Sequence, residues 1–157
     1  MMEYNVAQLL KDPIGATRDH KVDGDIYIDE GGKEKVNGSL YLMRTDAGIW
    51  ANANLKLAVW ATCARCLEQF RMPVSIQIEE EYLPTVDISN GKSLKSTHPH
   101  GDWPMIDYRH MLNLDEMIRQ HTIMRSPLKP LCREDCQRLL MIKFNLSRKI
   151  PGEMNFF

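Results

Sequence analysis

Cysteine occurs four times in this 157-residue chain, and only as two close pairs. The stretch "ATCARCLEQF" carries Cys63 and Cys66, and "PLCREDCQ" carries Cys132 and Cys136. Paired cysteines on tight turns are the usual supply for a tetrahedral thiolate site. Each pair offers two sulfurs about 2.3 Å from a zinc ion, and two pairs close the shell. A closed shell leaves no position for substrate, so a zinc held this way is structural. It would tie together segments roughly 70 residues apart, removing on the order of 4 kcal/mol of unfolded-state freedom by the cross-link entropy estimate.

Other chemistries fit these cysteines less well. Disulfides are rare in a reducing cytoplasm. A C-x2-C redox dithiol usually sits in a βαβ setting, at a helix N-terminus that lowers the thiol pKa, whereas Cys63 follows a meander strand. Four unrelated buried thiols are the plain alternative, and exclusive placement in two pairs argues against them. The expected site is therefore Cys63, Cys66, Cys132 and Cys136 around one structural zinc.

Other residues that can do chemistry are scattered. His98, His100 and His110 lie in or near a polar stretch and read as solvated loop rather than ligands. Glu79, Glu80 and Glu81 alternate faces of a strand, so they form no carboxylate dyad; Glu80 alone falls on the apolar face. Trp50, Trp60, Lys56 and Tyr41 can form a stacking surface for bases, though a covered sheet face explains them more simply. There is no nucleophile elbow, P-loop or dinucleotide fingerprint, and no enzyme is expected.

The elements that must position the cysteines are mostly strands. In 48–61, Ile49, Ala51, Ala53, Leu55, Leu57, Val59 and Ala61 point one way, a period of two that marks a half-buried strand. Val36, Leu40 and Leu42 share a face in 34–44, and "RTDAG" reads as the hairpin turn between the two. Met72, Val74, Ile76, Ile78 and Tyr82 line a third strand, and 22–28 suggests a fourth, shorter one. Tyr4 to Leu10 reads as a short helix or turn. Residues 84–110 read as an irregular loop. Over 113–125 the period becomes helical, with an Asn113–Glu116 capping box and Leu114, Met117, Ile118, His121 and Met124 on one side. Pro127 and Pro130 stop it. The expected fold is α+β: an antiparallel β meander or small split barrel with flanking helices and a C-terminal cysteine-bearing arm, in one domain over 1–157.

Net charge is −1, yet it is unevenly spread. Residues 1–118 hold 12 Lys and Arg against 18 Asp and Glu, whereas 119–150 hold eight basic residues against two acids. That basic region, with a tail over 137–157, is a candidate contact for nucleic acid. Its candidate phosphate ligands are Arg125, Lys129, Arg133, Arg138, Lys143 and Arg148. No apolar run approaches the length of a membrane span, and the N-terminus lacks the pattern of a signal or transit peptide. A cytoplasmic protein is expected, without a membrane partner or small-molecule substrate.

Several motifs in order resemble the YceD-like family of large ribosomal RNA subunit accumulation proteins. They are the Leu-rich start "NVAQLLKDPIGATR"; Val36, Gly38, Leu40, Leu42, Arg44, Thr45, Gly48 and Ile49; and Cys63, Arg65, Cys66, Leu67 and Phe70. Leu114 to Arg119 and Pro127 to Cys136 complete the set. The resemblance implies a non-enzymatic accessory factor in large-subunit ribosomal RNA accumulation that binds metal and is a candidate for binding nucleic acid. Its partners would be ribosomal RNA or large-subunit assembly intermediates. A protein–protein adaptor without RNA contact and a thiol redox protein using the C-x2-C pair are the alternatives. The chain departs from the family after Cys136: "QRLLMIKFNLSRKIPGEMNFF" has no cysteine.

Overall fold

A computed structural model describes residues 2–28, 32–94, 104–134 and 136. Two compact units divide the chain: residues 1–59 with 73–126, and residues 60–72 with 127–157.

In the first unit the strand period is realised as a curled sheet. Its strands are β2 (Thr17–Tyr27), β3 (Lys33–Arg44), β4 (Ile49–Thr62), β5 (Gln69–Pro84) and β6 (Met105–Ile106), in that order across the sheet. β4 and β5 run on into the second unit. The remaining elements are β1 (Glu3–Asn5), α1 (Ala7–Lys11), β7 (Met111–Asn113) and α2 (Asp115–Arg125). This is the α+β meander anticipated from the periodicity. β3 pairs antiparallel with both β2 and β4.

β4 shows most plainly why the sheet forms. Ile49, Ala51, Ala53, Leu55, Leu57 and Val59 are all buried, while Asn54, Lys56 and Trp60 are exposed. Alternation lets one face join the core while the other stays in water. Val22, Val36, Leu40, Leu42, Ile76, Ile78 and Tyr82 complete the buried face, and Leu112 of β7, Ile118 of α2 and Leu114 between them add to the core.

The turn between β3 and β4 gives the "RTDAG" stretch a physical role. Thr45 donates its amide to the Gly48 carbonyl at 2.9 Å, and Gly48 returns its own amide to Thr45 Oγ1 at 2.9 Å. Thr45 Oγ1 donates in turn to Glu81 Oε1 on β5 at 2.7 Å, and Arg44 Nη1 donates to the Gly48 carbonyl at 2.9 Å. A Cβ on Gly48 would collide with the Tyr82 carbonyl oxygen. Only glycine lets the turn approach β5 so closely.

Several expectations need correction. β2 begins at Thr17, not residue 22; its first half alternates among polar residues and offers no apolar signal. Tyr4 to Leu10 divides into β1, which pairs antiparallel with β7, and α1. Within 84–110, Val86 bridges Ser93 and β6 joins β5 in parallel. A chain that returns after some twenty residues can enter parallel, which a tight hairpin cannot do.

The capping box does not form. Asn113 Oδ1 accepts the Asp115 amide at 2.7 Å, while Glu116 is held by Arg119 at 2.7 Å and Gln120 at 2.8 Å. α2 also buries Thr122 and exposes Met124. The threonine tolerates burial because its hydroxyl donates to the Ile118 carbonyl at 2.7 Å. Two ionisable residues that the sequence places on apolar faces meet: His121 Nε2 lies 3.7 Å from Glu80 Oε1.

Candidate metal centre

All four cysteines fall in the second unit. The β4–β5 connection carries the first pair on a turn closed at both ends. Cys63 donates its amide to the Glu68 carbonyl at 2.9 Å, and Leu67 donates to the Cys63 carbonyl at 2.9 Å. Leu67 adopts a left-handed φ of 62° to close it, which is uncommon for a non-glycine residue. Cys132 and Cys136 follow the proline stop, where the Cys136 amide donates to the Arg133 carbonyl at 3.2 Å.

Two hydrogen bonds that use no sulfur join the segments. Ala64 donates its amide to the Pro130 carbonyl at 2.7 Å, and Arg65 Nη1 donates to the Cys136 carbonyl at 3.0 Å. Sequence reasoning gave Arg65 no role beyond a motif position. Its type was visible, but nothing in the spacing shows that it reaches across 71 residues.

The four sulfurs lie within 4.8 Å of one another. Cys63 Sγ and Cys136 Sγ are 3.7 Å apart, as are Cys66 Sγ and Cys132 Sγ. Both of these separations run between the two segments. A disulfide needs about 2.05 Å, and the cysteines are free thiols. Four sulfurs about 2.3 Å from a central zinc would be about 3.8 Å apart along each tetrahedral edge. The set therefore fits a single tetrahedral thiolate-bound metal ion, which could be held by Cys63, Cys66, Cys132 and Cys136. Cys63 and Cys136 are buried, Cys66 is half-buried and Cys132 is exposed.

The electrostatics suit the same reading. Burial acts to raise the Cys63 pKa, but the backbone amides of Cys66, Cys132 and Arg65, together with the Cys66 side chain, hold it down to about 5. Cys132 is pushed up to about 12, first by loss of water around its sulfur and then by the sulfurs of Cys136, Cys63 and Cys66. Near neutral pH the clustered thiols therefore do not all ionise unless a cation supplies the opposing charge.

The expected phosphate ligands are spread over both units. Arg125 is exposed at the end of α2 in the first unit, and Lys129 and Arg133 are exposed in the second. Arg138, Lys143 and Arg148 lie outside the described residues, as do His98 and His100. His110 takes a left-handed φ of 60° immediately before β7, and its carbonyl accepts the Val6 amide at 2.9 Å. Of the aromatic candidates, Trp50 packs edge-on to Tyr41 at 6.4 Å. Trp60 is 53% exposed, with the Arg71 guanidinium 5.1 Å from its ring centre. Among the described residues, no helix is long and apolar enough to cross a membrane.

No curated protein and no solved structure was found to match this chain. A family model does match: residues 51–142, more than half the chain and including all four cysteines, fit the family described as large ribosomal RNA subunit accumulation protein YceD.

Proposed function

The chain belongs to the YceD family of large ribosomal RNA subunit accumulation proteins, and from that premise we propose that it is a zinc-stapled, non-catalytic accessory factor that binds ribosomal RNA or large-subunit assembly intermediates. One observation carries the reading. Four sulfurs from segments far apart in the chain stand at the spacing of a closed tetrahedral set, within the region that the family model matches. A saturated thiolate site stabilises but does not catalyse. It would fix the cysteine-bearing arm, and with it Lys129 and Arg133, in a cytoplasmic RNA-binding protein.

The test joins cell and chemistry. Depletion of the protein should lower large-subunit ribosomal RNA relative to small-subunit RNA. Wild-type chain should restore it and Cys66→Ser should not. Purified wild-type chain should carry about one zinc, by elemental analysis, and should bind large-subunit RNA with a steep salt dependence. Normal RNA levels on depletion, or a metal-free wild-type chain, would defeat the reading.

Ile123 and Met124, 51% and 71% exposed on α2, favour a second reading as a protein–protein adaptor. Association with large-subunit precursors that survives nuclease treatment would select it.

A further inference from the structure

A cleft of about 500 Å³ opens on the first unit, lined by residues of β3, β4, β5 and the last residue of α2. Its lining includes the buried Leu55 and Ile76, which are 1% and 3% exposed. Around them stand six exposed polar residues: Asn37, Asn54, Lys56, Ser75, Gln77 and Arg125. Asn37 lies directly opposite Lys56 in the β3–β4 register. The described lining thus holds two cations, three amides and a hydroxyl, and no carboxylate. Glu79, which accepts a hydrogen bond from Gln77 at 2.8 Å, and Asp23, opposite Asn37 on β2, do not line it.

We infer that this cleft is a nucleotide subsite for single-stranded RNA, with Lys56 and Arg125 on the phosphate and the amides of Asn37, Asn54 and Gln77 on the base edge. The inference rests on the RNA-binding reading above and moves its specific contact from the cysteine-bearing arm to the sheet. The chemistry selects this occupant. Two cations in a lining that holds no carboxylate suit a phosphodiester, while amides supply both donors and acceptors, as a base edge demands. The volume falls within the roughly 300–1,000 Å³ of sites that take a small ligand. Unpaired bases can be splayed into such a cleft, whereas those of an A-form duplex remain stacked.

Binding of a fluorescein-labelled single-stranded RNA to the full chain, followed by anisotropy over a range of salt, tests the inference. Lys56→Glu and Arg125→Glu should each weaken binding about tenfold or more and lower the salt slope by about one. Lys11→Glu, a reversal of an exposed cation outside the cleft, should change it less than about twofold. Photocrosslinking of wild-type chain to 4-thiouridine RNA needs no variant, and adducts should map to residues 54–56 and 75–77. If wild-type chain binds RNA but both reversals are silent, or the adducts fall only within 127–157, the cleft is not the subsite and the broader reading stands. If wild-type chain binds neither single-stranded nor large-subunit RNA, both fall.

Discussion

The backbone amide of Ala64 donates to the carbonyl oxygen of Pro130 at 2.7 Å, so the segment bearing Cys63 and Cys66 touches the one bearing Cys132 and Cys136 without any sulfur. Together with the bond from Arg65 to the Cys136 carbonyl, this contact prearranges the thiols. Metal binding then spends less of its free energy on ordering the chain.

Loss of the metal should nonetheless be costly. Closing a loop of about 70 residues accounts for on the order of 4 kcal/mol, and a domain of this size loses roughly 2–4 °C of melting temperature per kcal/mol. Chelation, or Cys66→Ser, should therefore lower the melting temperature by roughly 10 °C. Scanning calorimetry with and without chelator reads this. An unchanged melt would show that the four thiols are no staple.

Arg65 should govern how firmly the metal is kept. Its hydrogen bond is charge-assisted and part-buried, on an arginine that is itself exposed, so Arg65→Ala should cost only about 1 kcal/mol of stability. Zinc transfer to a competing chelator should nevertheless quicken several-fold, because the Cys136 segment loses a tether. Equal transfer rates for Arg65→Ala and wild type would remove the tether role.

Gly48→Ala should disturb the β3–β4 turn far more than its size suggests. The added methyl collides with the Tyr82 carbonyl oxygen, a backbone atom that cannot swing away. A loss of about 1–3 kcal/mol is expected from such overpacking. Asp46→Ala, at an exposed position of the same turn, should stay within about 0.5 kcal/mol. Urea midpoints of the two variants provide the comparison.

Tyr82 should make the fold sensitive to alkali. Burial, then the charges of Glu80 and Asp115, raises its pKa above the ordinary value. Its hydroxyl donates to the Asn113 carbonyl at 3.1 Å. The folded chain therefore keeps this proton at a pH where the unfolded chain has lost it. The resulting stability is fully present below about pH 10 and is lost as pH rises beyond that value. Tyr82→Phe should cost about 1 kcal/mol at neutral pH and flatten the alkaline decline. Urea melts from pH 8 to 11 test both, and equal alkaline slopes would refute the assignment.

The sequence alone determined the meander and the thiol set. Ile49 to Val59 alternate so strictly that only a strand with one wet face accommodates them, and cysteines confined to two close pairs leave few uses besides a shared ion. Both signals are local, because a period of two and a tight turn are written in neighbouring residues. Tertiary structure alone decided that the Cys63 and Cys136 sulfurs come within 3.7 Å, that Arg65 reaches the Cys136 carbonyl, that β6 enters parallel to β5, and that Lys56 and Arg125 line one cleft. It also turned α2 so that Thr122 is buried and Met124 is not. These are long-range pairings, set by how a curled sheet brings distant segments together, and no spacing within one segment encodes them.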